Sequence, residues 1–146
     1  MTHPNSYTAK GWIVATLIVL FLSMSAVAGA TSTATTANLP LTPSFQVSWN
    51  KAKASFRQCH YPSAENRYNA IKAYGIKLED PPTRYKFLDG VATAAYMAGD
   101  KRAAKSYALV AEDLWKQMSL SQQGAVQRQA GDIEDITVGL FTYGCS

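Results

Sequence analysis

Carboxylates are the first residues in this chain whose types and spacing could do chemistry. Asp132, Glu134 and Asp135 crowd together, and Asp132 and Asp135 share a helical face at i and i+3. Two acids on one face could serve as general acid and base in a small cell-wall hydrolase, with Asp89 as a further candidate. A calcium site would need ligands converging from alternate positions of a loop around a turn glycine, whereas this cluster lies within a helical pattern. The plainer expectation is a solvated helix face, or partners for basic residues elsewhere. His60 is the only histidine after His3, so no site with several histidines can form in the body of the chain. Its neighbour Cys59 projects about a hundred degrees away on a helix, which does not suit a nucleophile and its base. There is no Gly-x-Ser-x-Gly, no His-Glu-x-x-His and no phosphate loop. The expectation is no catalytic residue, no metal and no cofactor.

The order of the first thirty residues sets the address. Lys10 precedes an apolar run from Gly11 to Leu22, and small residues close the segment at Ala26-Val-Ala-Gly-Ala30. A basic stretch, a hydrophobic stretch and an A-x-A site make the pattern of a secretory signal peptide. Residues 1–30 are therefore expected to be removed, with cleavage after Ala30 preferred to cleavage after Ala28. The alternative is an uncleaved anchor, since about twenty residues from Gly11 to Ala30 just suffice to cross a bilayer. In both cases Lys10 stays cytoplasmic and the remainder is periplasmic or secreted, or faces the periplasm or exterior from a membrane anchor. Residues 31–43, rich in threonine with two prolines, read as a solvated linker, and 44–146 as one domain.

Export changes how the two cysteines are read. Cys59 and Cys145 are expected to form a disulfide in an oxidising compartment, pinning the last helix against the first. The alternative is a buried Cys59 with a free or intermolecular Cys145.

Across the domain the apolar spacing is helical. Phe45, Trp49, Ala52, Phe56 and Cys59 fall on one side of a first helix. Pro62 and Ser63 break and restart the chain, with Ser63 as cap, and a second helix carries Ala64, Tyr68, Ile71 and Tyr74 up to Gly75. Glu79-Asp-Pro-Pro-Thr83 reads as a loop, and Thr83 as the cap of a third helix bearing Phe87, Leu88, Val91, Ala95 and Ala98. After a Gly99-Asp100 turn the fourth helix holds Ala104, Tyr107, Ala108, Ala111, Leu114, Trp115 and Met118 in the same rhythm. A fifth, capped by Ser119 or Ser121, buries Val126, Ala130, Ile133, Thr137, Leu140 and Phe141. No stretch reads as a strand, so the fold class is all-α.

The segment from Leu88 to Leu114 resembles a tetratricopeptide repeat. Ala92 stands where that family keeps a small residue for close helix contact, Gly99-Asp100 matches its turn, and Ala104 and Ala111 occupy its small positions, with Tyr107 or Ala108 at the aromatic one. The pair over residues 45–78 fits more loosely, through Ala64 and Tyr68, and the second repeat lacks the family's closing proline. The resemblance implies two antiparallel helix pairs and a C-terminal capping helix; an ordinary five-helix bundle is the alternative. It also implies that the first helix of each pair lines a concave groove. Lys86, Asp89, Thr93, Tyr96 and Met97 would then face that groove, joined by Trp49, Lys53, Phe56 and Arg57.

Charge points to the same surface. Without Lys10, thirteen basic residues face ten acidic ones. From Ser44 to Leu78 six are basic and only Glu65 is acidic, while from Glu112 onward five acids face two bases. Lys53 and Arg57, at i and i+4 beside Trp49 and Phe56, make a basic and aromatic surface suited to an acidic peptide or an anionic envelope polymer; solvated lysines covering the core are the alternative. Export and the small excess of positive charge argue against nucleic acid. The reading is an exported, non-enzymatic module binding another envelope protein or peptide, an acidic one among the candidates, as scaffold, inhibitor or neutralising partner. The alternatives are a structural subunit of an envelope or secretion assembly, for which self-association would be the sign, and the carboxylate-dependent hydrolase. Membrane contact is expected only through an uncleaved N-terminal segment.

Overall fold

The computed structural model describes residues 38–145; the expected signal peptide and the part of the expected linker up to residue 37 lie outside them. Among the described residues there are six α-helices and no strand beyond one isolated bridge. No helix among them is long and apolar enough to cross a membrane.

α1 (Pro43–Arg57) opens on Pro43, whose missing N–H costs nothing in a first turn, and Thr42 accepts from Phe45 N as its cap. Just before it, Leu39 forms a parallel bridge with Leu78, its N–H donating to Lys77 O at 2.7 Å. Tyr74 Oη adds a bond to Pro40 O at 2.5 Å. At the other end the chain leaves α1 through Cys59, which takes φ 61. His60 N donates to Ser55 O and Cys59 N to Phe56 O, the pairing of a left-handed helix stop. Glycine usually fills that position because a side chain there is strained. Here the side chain is needed, because Cys59 is bonded to Cys145.

α2 (Tyr61–Gly75) begins two residues before the expected Ser63. His60 holds the cap position without a side-chain bond, and Pro62 is absorbed into the first turn. α3 (Pro81–Ala98) also starts early: Asp80, not Thr83, is the cap, and Thr83 donates both its N–H and its Oγ1–H to the Asp80 carboxylate. The two prolines read as a loop are its first turn, where no amide donor is required. α4 (Lys101–Gln117) follows the Gly99-Asp100 reversal as expected, with Asp100 Oδ1 accepting from Ala103 N.

The expected fifth helix is two. Ser119 and Gln122 form a reciprocal capping box on α5 (Leu120–Gly124), the chain steps at Ala125 and Val126, and α6 (Gln127–Val138) carries the rest. Gly139 at φ 80 ends α6, so Leu140 falls outside the helix and is 71% exposed instead of buried. Phe141 turns back and is buried.

α1 packs on α2, α2 on α3 and α3 on α4, while α5 touches α3 and α6 returns to α3 and α4. α3 lies between two clusters. Phe87, Val91 and Ala94 join Phe45, Trp49, Ala52, Ala64 and Tyr68 from α1 and α2, whereas Tyr85, Leu88, Ala92 and Ala95 join the α4 and α6 cluster. Burial on two sides explains why α3 is apolar almost all round. Ala92 and Ala95 meet Ala104, Ala108 and Ala111, none more than 1% exposed, so the α3–α4 contact is close. Two glycines admit large rings at short range. A Cβ at Gly75 would strike the Phe87 ring, and one at Gly90 would lie 2.7 Å from Tyr68 Cζ.

Candidate functional site

α3 has a third face, turned to neither cluster, and it forms the floor of a hollow of about 310 Å³. Lys86, Asp89, Gly90 and Thr93 lie on that floor. From α1 come Trp49, Lys53, Phe56 and Arg57, at i, i+4, i+7 and i+8 on one helical face. α6 contributes Arg128, Gln129 and Asp132, and the tail beyond it closes the last side with Phe141, Thr142 and Tyr143. The groove residues expected from the sequence therefore meet, except for Tyr96 and Met97. Those two line a separate cavity of about 640 Å³ on the other side of the tail, with Lys101 Nζ 3.1 Å above the centre of the Tyr96 ring.

Four cations line the first hollow: Lys53, Arg57, Lys86 and Arg128. The one ion pair among the described residues is Lys116 with Asp113, both well exposed, so none of the four is neutralised by a contacting carboxylate. Lys53 is half-buried, with Nζ 4.3 Å above the Trp49 ring in cation–π contact. Burial lowers its pKa, and Arg57 and Lys86 lower it further by repulsion. Cations that repel one another and have no internal partner suit an anionic ligand.

Of the two acids in the hollow, Asp89 does little to offset this charge. Asp89 Oδ1 is closed off from solvent and finds no hydrogen-bond partner among the described residues. Burial, with Asp132 adding repulsion, pushes the Asp89 carboxyl up to about 8 against the pull of Arg128. Asp132 is raised as well, by burial first, with Arg128 opposing and Asp135 adding. Asp89 is thus largely neutral near pH 7. Trp49 Nε1, also buried, has no partner among the described residues either. Thr93, by contrast, is satisfied within its own helix, donating to Asp89 O at 2.9 Å.

The elevated Asp89 pKa has a sign that can be checked. A carboxyl whose folded pKa lies above its ordinary value, about 3.9, stabilises the fold fully below that value and loses the contribution as pH rises toward about 8. Thermal or urea unfolding should therefore show stability falling from pH 4 to pH 8, with a slope approaching about 1.4 kcal/mol per pH unit. Asp89→Asn should flatten most of that slope, leaving the smaller part due to Asp132. An unchanged slope in the variant would assign the dependence elsewhere.

The carboxylate cluster read from the sequence is dispersed: Asp132 enters this hollow, Glu134 lines a different one with Glu112, and Asp135 is exposed. Sequence reasoning did not bring Tyr68, Gly90, Arg128, Gln129 or the tail to the site. The expected Cys59–Cys145 bridge was the available signal, since it places the residues before Cys145 beside the end of α1. No family model matches this sequence, and neither a curated protein nor a solved structure matches it.

Proposed function

We propose that this protein is an exported, non-enzymatic helical module of the cell envelope, built on tetratricopeptide-like helix pairs, that binds another envelope protein or peptide through the hollow along α3. The observation that carries the reading is the convergence of Lys53, Arg57, Lys86 and Arg128 from three helices on one cavity without a salt-bridge partner among the described residues. Cations held this way attract and orient an acidic segment, while Trp49 and Phe56 supply apolar contact. Export rests on residues 1–30, and the Cys59–Cys145 bond fits an oxidising compartment. The test is capture from an envelope extract after mild crosslinking, with residues 31–146 as bait beside Lys53→Glu/Arg57→Glu. One stoichiometric partner lost by the variant supports the reading; equal capture by both removes the basic groove from it.

One observation favours a second reading. Asp89 and Asp132 share the cavity, and a carboxyl protonated near neutral pH beside a second acid is the arrangement hydrolases use for general acid catalysis. Asp89→Asn would abolish turnover of a cell-wall substrate in that case, and would leave partner capture nearly intact in the other.

A further inference from the structure

The tail after α6 lies across the groove. Phe141, Thr142 and Tyr143 line both cavities, so the same segment separates the Trp49–Asp89 hollow from the Tyr96–Met97 hollow. Gly139 turns it out of α6, and Cys145 ties its far end to Cys59. Between these points Leu140 N and Phe141 N donate to Asp135 O at 2.7 and 3.2 Å, and beyond them the hold is through two aromatic side chains two residues apart. Phe141, 7% exposed, meets Tyr96 edge to face at 5.8 Å, and Tyr143 packs on Phe56 at 4.6 Å. The amides from Thr142 to Cys145 donate no backbone hydrogen bond among the described residues, and Leu140, Thr142, Gly144 and Cys145 are exposed. Residues 139–145 carry no charged side chain, although Lys53, Arg57, Lys86 and Arg128 stand on one side of them and Lys101 on the other. Its aromatic contacts match the groove and its electrostatics do not.

We propose that the two cavities are halves of one groove, that the tail is an intramolecular occupant of it, and that the partner is an extended acidic peptide with aromatic residues two apart that takes the path of Leu140–Tyr143. The inference rests on the groove being the binding surface and adds the mode of binding. The tail competes at high effective concentration because it is tethered at both ends. An incoming peptide offers the same two rings in the same spacing, and its carboxylates meet cations the tail leaves unpaired. While the tail is seated, only the fraction of molecules with the groove open binds, so the apparent affinity is reduced by that fraction.

The probe is a labelled Glu-Phe-Glu-Tyr-Glu peptide, read by fluorescence anisotropy against the full mature domain. Cys145→Ser frees the far end of the tail, and Tyr143→Ser removes one anchor with the disulfide intact, so a fold defect in one variant does not decide the outcome. Hydrogen exchange over residues 140–145 confirms that each tail is loosened. Both variants should bind the probe at least about ten-fold more tightly than the unaltered protein, as expected for a groove open in roughly a tenth of molecules or fewer. A probe with its aromatic residues adjacent should lose that gain. If unaltered protein and both variants bind equally while Lys53→Glu weakens all of them, the groove stands and the tail is no competitor. If Lys53→Glu also has no effect, the groove itself is wrong.

Discussion

Replacing Cys145 by serine lowers the stability of the domain by about 4.6 kcal/mol, the chain-entropy figure for a loop of this size. The bond joins residues 86 apart and is the only covalent tie between α1 and the tail. Without it the tail retains Phe141 in the core and Tyr143 on Phe56, and loses the constraint that orders residues 142–145 between them and the end of α1. Cys59 also keeps its left-handed backbone with no bond to hold it there. Urea unfolding with and without a dithiol reductant measures the effect. The reduced protein and Cys145→Ser should lose similar stability, and a loss under about 1 kcal/mol would show that the bond contributes little beyond tethering the tail. Intact mass after alkylation, before and after reduction, establishes whether the protein carries the bond throughout.

Truncating Phe87 to alanine costs about 4 kcal/mol, near the middle of the range for deleting a buried ring. The side chain is fully buried, with the rings of Phe45, Trp49 and Tyr68 at 5.5, 5.6 and 5.8 Å and Gly75 of α2 beneath it. Its neighbours come from two helices that cannot both move inward, so the cavity left behind cannot collapse. Leu140→Ala is the control: at 71% exposure it should change stability by less than about 0.5 kcal/mol. Chemical unfolding of the two variants side by side checks both values. A Phe87→Ala cost below about 2 kcal/mol would mean that the first cluster repacks around the gap.

Periodicity made the helices legible, and punctuation misplaced their ends. α4 reads cleanly because one face is buried and the other solvated, so Ala104, Ala108, Ala111 and Leu114 stand out. Pro62, Pro81 and Pro82 read as breaks in the sequence, yet proline is excluded only where an amide must donate, and the first turn has no such need. Leu140 followed the apolar rhythm, but Gly139 had already ended the helix. At the site, Trp49, Lys53, Phe56 and Arg57 were readable as one face of one helix. Arg128 and Asp132 reach the same hollow only because α6 packs back on α3, a tertiary fact that spacing within a helix does not carry. Nothing in the sequence shows that Asp89 is held protonated, since that depends first on its burial in the folded hollow and then on Asp132, forty-three positions further along the chain.

Chains are made from the N-terminus, and the tail's position in the sequence sets when the groove can exist. Phe141 to Tyr143 and Cys145 are made only after the six helices, so until then nothing lies where the tail does on the floor of the hollow. Cys59 has no Cys145 to bond before that point. A product truncated before Phe141 presents the basic floor of the hollow without the tail beside it, and its Cys59 has no Cys145 to bond.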